Sequence, residues 1–234
     1  MSIASEIQRL QGVRANIFDA ITNKGVSVPS GAKLADCPEL IEAISGGGCD
    51  EDTIEIQGFL YRYVKIGNLL WLKDNLRIPV GNKNPTSGQQ YLAGYRYFIK
   101  KSVEQTGYGC YYNNLAIDGV ESNLPQGWRI PTEQDVNDLK TAVGNDILSL
   151  KYPLGWDDTY NSYTNNSSKF DALPTGYMQS STNGTVINYN NDKHFWLKYN
   201  TYNKTPYARL QTNALDIYND DYNAMRPCIA CKNA

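Results

Sequence analysis

The run His194–Ala230, HFWLKYNTYNKTPYARLQTNALDIYNDDYNAMRPCIA, constrains the fold more than any other part of the chain. Its ends, HFWL and RPCIA, are strand-like, while its interior is crowded with Tyr, Asn and Asp. Asn and Asp are depleted from strands because their side chains compete locally for backbone hydrogen bonds, yet here they alternate with strand-favouring residues. From Tyr207 to Gln211 and again from Leu215 to Tyr218, small or apolar residues step in twos against large polar ones, the period of a half-buried strand. The outward set comprises Tyr199, Asn200, Tyr202, Asn203, Tyr207, Arg209, Gln211, Tyr218, Asn219, Asp221, Tyr222 and Asn223. Tyr supplies contact area at low entropic cost and Asn supplies adaptable hydrogen bonds, which is the composition of an antibody paratope. The stretch therefore reads as a binding face. The alternative is that Tyr and Asn decorate polar loops of a β protein.

A chain of 234 residues, 41% hydrophobic and 12% aromatic, can bury the core of one good-sized domain with a small appendage. The formal net charge is −2 and the pI about 5.5, so there is no basic field of the kind that phosphate backbones or anionic lipid require. Neither a nucleic-acid partner nor membrane insertion is expected. The segment MSIASEIQRLQGVRANIFDAITNKG lacks the basic start, apolar core and cleavage site of a signal peptide, which points to synthesis in a cytoplasm. Five cysteines (Cys37, Cys49, Cys110, Cys228, Cys231) form an odd set, and a reducing compartment argues against a disulfide framework. Cys228 and Cys231 make a lone CxxC, without a second pair at zinc spacing and with His194 the one histidine, so buried thiols are expected and neither metal nor cofactor.

In chain order, Ile3, Ile7, Leu10, Val13, Ile17, Phe18 and Ile21 recur at three- and four-residue steps and predict an amphipathic helix ending at Asn23-Lys24-Gly25. A second short helix is expected from Pro38, and Ser45-Gly46-Gly47-Gly48 reads as a flexible linker. Residues 1–48 thus form a helical segment too small to bury a core alone, expected to oligomerise or dock, and residues 49–234 a second domain. Thr53–Trp71 reads as two strands joined at Gly67-Asn68. Ile117–Gln126 reads as a loop. Thr132 before Glu133, Gln134 and Asp135 is a helix N-cap, with Val136, Leu139 and Val143 as the buried stripe and Gly144 as the stop. Tyr152–Asn183 suits long surface loops.

The ordered segments YRYVKIGNLLWLKDNLR, LPQGWRIPTEQDVNDLKTAVG, FDALPTGYM, HFWL and MRPCIA resemble the Fibrobacter succinogenes major paralogous domain, a version of the C-type lectin-like fold. The resemblance spans roughly Thr53–Ala234 and implies an α+β scaffold closed by paired terminal strands, with the last part of the chain as an exposed ligand-binding surface. That family usually carries a Cys before its Pro-x-Gly-Trp motif; Leu124 stands here, so the corresponding bond to Cys228 cannot form. The Tyr/Asn-rich tract resembles the variable region of retroelement-diversified proteins, and SEIQRLQGVRANIFDAITNKGV with KLADCPELIEAI is similar to virion-attachment ends of phage tail proteins. Together these resemblances imply a non-enzymatic receptor-binding protein at a phage tail tip, located in the virion. Its partners would be a host surface receptor, protein or glycan, other tail proteins, and copies of itself in a trimer. The runner-up is a cellular lectin or adhesin using the same face.

RIPTEQDV also resembles formylglycine-generating enzymes, which would make the C-terminal cysteines a thiol site. A reactive thiol needs an electropositive, accessible setting, and Cys228 between Pro227 and Ile229 reads as core. His194, beside Phe195 and Trp196, reads as structural. Asn219, Asp220 and Asp221 are the one compact oxygen cluster, short of the six or more ligands calcium takes. Trp71, Trp128 and Trp196 are expected in the core, whereas Trp156, before Asp157-Asp158, is expected on a loop beside the binding face.

Overall fold

A computed structural model of the chain describes residues 3–22, 28–37, 52–85, 93–100, 103–153, 155–157, 164–179, 186–199, 204–211, 213–220 and 224–234. Two compact units are formed, Met1–Asp52 and Thr53–Ala234. In the first, helix α1 spans Ile3–Thr22. Its apolar stripe is open toward its N-terminal half: Ile7, Leu10 and Val13 are 50%, 45% and 40% exposed. Arg14 lies 5.3 Å over the Phe18 ring and donates to the Ala32 carbonyl, tying the helix to the following turn. The helix expected after Pro38 lies outside the described residues.

The second unit is α+β. Its first half holds β1 (Thr53–Ile56), β2 (Phe59–Ile66), β3 (Leu69–Leu72), β4 (Asn82–Lys83), β5 (Gly94–Lys100) and β6 (Val103–Asn113). Helices α2 (Ile117–Ser122) and α3 (Glu133–Ala142) follow. The second half holds β7 (Tyr177–Gln179), β8 (Val186–Ile187), β9 (Lys193–Trp196), β10 (Thr205–Leu210), β11 (Leu215–Asp220), β12 (Ala224–Pro227) and β13 (Cys231–Asn233). Among the described residues three sheets result, ordered β1-β2-β3-β13, β11-β10-β9 and β4-β5-β6-β12-β7-β8. The terminal strand β13 pairs antiparallel with β3, setting Cys231 against Trp71, so the two ends of the unit close in one sheet.

Three stretches differ from expectation, one of them Tyr152–Asn183, read as surface loops, which contains β7 and the buried Phe170, Ala172 and Met178. The strand read through from Thr53 to Ile66 is broken at Gln57-Gly58, whose φ angles of 52° and 77° give the doubly positive pattern of a type I′ hairpin turn. The loop expected over Ile117–Gln126 contains α2, six residues long with Gly119 inside it. Buried Ile117 and Val120, not helix propensity, hold that turn in place. Helix α3 follows expectation, since Thr132 Oγ1 accepts from Asp135 N at 3.2 Å while the Asp135 carboxylate accepts from Thr132 N at 2.7 Å. Val136 and Leu139 are buried beneath it, and Gly144 takes the positive φ that ends it.

One core cluster contains Trp71, Leu139, Phe170, Phe195, Ala208, Leu210 and Leu215; a second contains Tyr61, Leu72, Tyr112, Ile117, Trp128, Trp196 and Cys228. The sheet β11-β10-β9 lies between them, giving one face to each.

Candidate binding face

Strand alternation sorts this sheet into two sets. Ala208, Leu210 and Leu215 point to the first core cluster with Phe195, and Ile217 packs against its edge. Opposite them, Tyr207 faces Trp196 on β9 and Tyr218 on β11, while Arg209 faces His194 and Asp216. Tyr207, Arg209 and Tyr218 thus share the face opposite Ala208 and Leu210, but that face turns toward the second core cluster at Tyr207, which is half-buried, and opens to solvent at Tyr218. Asn219 is the exception: it shares the parity of Leu215 and Ile217 and is exposed because it stands at the end of the strand, away from the buried Leu215. Asn200, Tyr202, Asn203, Asp221, Tyr222 and Asn223 lie outside the described residues.

The aromatic rings on this face form a continuous row. Tyr177 lies 5.0 Å from His194, His194 stacks on Tyr207 at 5.5 Å with planes 13° apart, and Tyr207 stacks on Tyr218 at 5.6 Å with planes 25° apart. The row runs from covered to open. His194 is 2% exposed and Trp196 fully buried, Tyr207 is half-buried, and Tyr218 is 37% exposed. Trp196 is held by its indole donating to the Tyr112 carbonyl at 2.7 Å.

Arg226 covers the buried end. Its guanidinium carbon lies 3.6 Å from the Tyr207 ring centre, 4.6 Å from Trp196 and 5.2 Å from Tyr177, and its Nη2 pairs with Asp220 at 2.5 Å. Arg226 is only 2% exposed, and its Nε and Nη1 have no hydrogen-bond partner among the described residues. The aromatic faces therefore carry much of the charge that burial removes from water. Asp192, nearly buried, accepts from Arg209 Nε at 3.0 Å and from Asn188 at 2.9 Å, with His194 Nε2 at 3.5 Å. Burial pushes the Asp192 carboxyl up, but the contacts with His194 and Arg209 outweigh it and hold the group below the usual carboxylate range. Burial likewise pulls His194 below the ordinary imidazole value despite Asp192, so the ring is neutral at pH 7.

Other expected site residues have defined roles. The Tyr199 hydroxyl donates to Asp118 at 2.7 Å, and Lys198 bonds Asp118 at 2.8 Å and also Glu121, so the chain leaving β9 is clamped to α2. These hydrogen bonds hold the Asp118 carboxyl below its usual range. Gln211 is half-buried and its backbone N–H closes the β10–β11 turn on the Ala214 carbonyl at 2.9 Å. Trp156 corrects the reading as a surface contributor: its ring is 4% exposed, lies in the first core cluster and receives the Lys151 ammonium at 4.0 Å from its centre. The residues that sequence reasoning missed are Tyr177, Asp192 and Arg226. Only Arg226 left a signal, as a lone cation in the apolar run MRPCIA.

Cys228 is buried in the cluster that holds Trp196, and Cys231 in the other. Burial pushes Cys228 well above its ordinary value and Cys231 to about 12, Arg129 offsetting the latter only in part. Among the described residues, no group of three His, Cys, Asp or Glu side chains is arranged to hold a metal ion, and no helix is long and apolar enough to cross a membrane.

Residues 64–226 match the sequence pattern of one protein family, the Fibrobacter succinogenes major domain. Comparison with curated proteins and with solved structures gave no match.

Proposed function

The chain belongs to the Fibrobacter succinogenes major domain family, and from that premise we propose that it is a non-enzymatic receptor-binding protein of a phage tail tip. In this reading a lectin-like scaffold displays a variable Tyr/Asn-rich surface, diversified by a retroelement, and α1 joins three copies and docks them to the virion. The observation that carries it is the division of labour on β10 and β11: alternate residues are fixed in the core, while Tyr207, Arg209, Gln211 and Tyr218 stand on the other face. Of these, Tyr218 is exposed, and change there should leave the packing beneath it intact, because exposed substitutions typically alter stability by less than about 0.5 kcal/mol. Tyr and Arg, the residues presented, are those that dominate interface energetics. The protonated state of Cys228 and Cys231 at neutral pH supports a binding role over thiol chemistry.

The test is competition on host cells. Purified full chain should bind saturably to cells of the phage's host and block adsorption of the parent phage in proportion to occupancy. Saturable binding without any block would favour a cellular adhesin, and turnover of a thiol substrate would favour an enzyme.

A further inference from the structure

Two buried lysines of the second unit meet different partners. Lys73 pairs with the Asp171 carboxylate at 2.5 Å, the ordinary way to hold an ammonium out of water. Lys193, 1% exposed at the start of β9, donates instead to the amide oxygen of Asn75 at 2.9 Å. We infer that Lys193 and Asn75 are reactants, and that the folded chain joins them by an isopeptide bond from Lys193 Nζ to Asn75 Cγ with release of ammonia.

The two groups are held in place from both sides. Asn75 Cγ lies one carbonyl bond of about 1.2 Å beyond its oxygen, so Nζ is within about 4 Å of that carbon, near the approach of about 3–3.5 Å from which bonds form. The backbone of Lys193 pairs with Leu210 on β10 and bridges to Gly176. Asn75, itself 8% exposed, donates its amide nitrogen to the Tyr108 carbonyl at 3.0 Å, which turns its oxygen toward Lys193. Gly109 makes room for that side chain: its φ is +84°, and a Cβ there would stand 2.5 Å from Asn75 Cβ. Fixing an amine and an amide at this range replaces a slow encounter in water with a reaction inside one molecule.

Burial pulls Lys193 down to about 8 against the opposing field of Asp74, so the neutral, nucleophilic amine is populated near neutral pH. Its lone pair attacks Cγ, and the carbonyl electrons move onto Oδ1. One Nζ proton passes to Nδ2, the Cγ–Nδ2 bond breaks, and the carbonyl re-forms as ammonia leaves. Atoms and electrons balance without an oxidant, a reductant or a second substrate. Positive charge develops on Nζ during the attack, and the Asp74 field that opposes deprotonation steadies it. The bond would span 118 residues, tying β9, which carries the tyrosine row, to the segment that follows β3. Such a link constrains the unfolded chain as a disulfide does. It also takes Lys193 out of titration, leaving Lys151 as the buried lysine that responds near pH 8.

Intact-mass spectrometry of the full chain, purified and held near pH 8, tests this, followed by tryptic mapping. The parent should be lighter than its sequence by one ammonia, and digestion should release residues 74–77 joined to residues 170–198, uncut after Lys193. Lys193→Met and Asn75→Ala should show the full sequence mass and no joined peptide. Lys193→Arg keeps the positive charge without the nucleophile, so it gives the same reading if Lys193→Met fails to fold, and it should melt well below the linked parent. A parent of full sequence mass would overturn the inference. So would a loss of ammonia with residues 74–77 released free, which marks cyclisation of an Asn side chain, or a joined peptide that persists in Lys193→Arg. The masses read the same whether or not the tyrosine face binds a receptor.

Discussion

Arg226 carries its charge inside a cage of aromatic faces, paired on one side with Asp220 and stacked on the other against Tyr207. Removing one partner of a buried pair leaves an uncompensated group, so Arg226→Ala should cost roughly 3–5 kcal/mol in denaturant unfolding. Arg226→Met, which keeps volume and contact with the rings, should recover part of that loss; a loss below about 1 kcal/mol for Arg226→Ala would show the cage to be solvent-filled. At this scale the sequence was legible where a residue's environment follows from its neighbours. His194, flanked by Phe195 and Trp196, was readable as buried, and Tyr207 and Arg209 as lying opposite Ala208 and Leu210. Asp192, Tyr177 and Arg226 were not readable as one cluster, because their meeting depends on strand pairing across three separate segments. Trp156 was misread for a related reason: it lies in an aperiodic stretch, and only Lys151 and the distant core residues reveal its burial.

Two elements carry the proposed biology, the strand pair β10–β11 and the helix α1. The register pairing Tyr207 with Tyr218 and Ala208 with Ile217 predicts where sibling copies of the gene should differ. Changes should concentrate at Tyr199, Tyr207, Arg209, Gln211, Tyr218 and the neighbouring Tyr and Asn positions, with Trp196, Leu210, Ile217, Pro227 and Cys228 fixed. Sequencing of sibling genomes checks this; substitutions scattered evenly over residues 53–234 would refute diversification. For α1, the exposed run Ile7, Leu10 and Val13 leaves apolar surface that self-association would cover. Light scattering of the full chain at micromolar concentration should give a trimer mass, and Leu10→Glu should reduce it to monomer. A monomeric parent would contradict the oligomer. Element type was legible wherever periodicity or a cap was strong, as in α1 and at Thr132 before α3. Short elements such as α2 carry too few residues for a period to emerge, and tertiary burial decides them.

The whole molecule places several titratable groups in its interior, which makes its stability respond to alkaline pH. Burial pulls Lys151 and Lys193 down to about 8. Between about pH 8 and the ordinary lysine value of about 10.4 the unfolded chain holds these protons and the native one does not, so the two lysines add stability as pH rises through about 8. Cys228 and Cys231 act oppositely, since their folded values are raised, and Tyr61, pushed up to about 12, joins them at higher pH. Melting temperature should therefore pass through a maximum and fall above about pH 10. A curve that falls steadily from pH 7 would contradict the burial of the two lysines.

The claim on which the rest depends is that the face of β10 and β11 binds the receptor while the packing beneath it only supports. Cell binding and thermal melting of Tyr218→Ala and Trp196→Ala, measured in parallel on the full chain, address it most directly. Tyr218→Ala should lose at least about tenfold in affinity for host cells, as truncation of an interface tyrosine does, while melting nearly as the parent. Trp196→Ala should lose roughly 3–5 kcal/mol of stability through the cavity it leaves. Host binding undiminished in a Tyr218→Ala protein that melts many degrees lower would mean that the ring is core and that the receptor is held elsewhere.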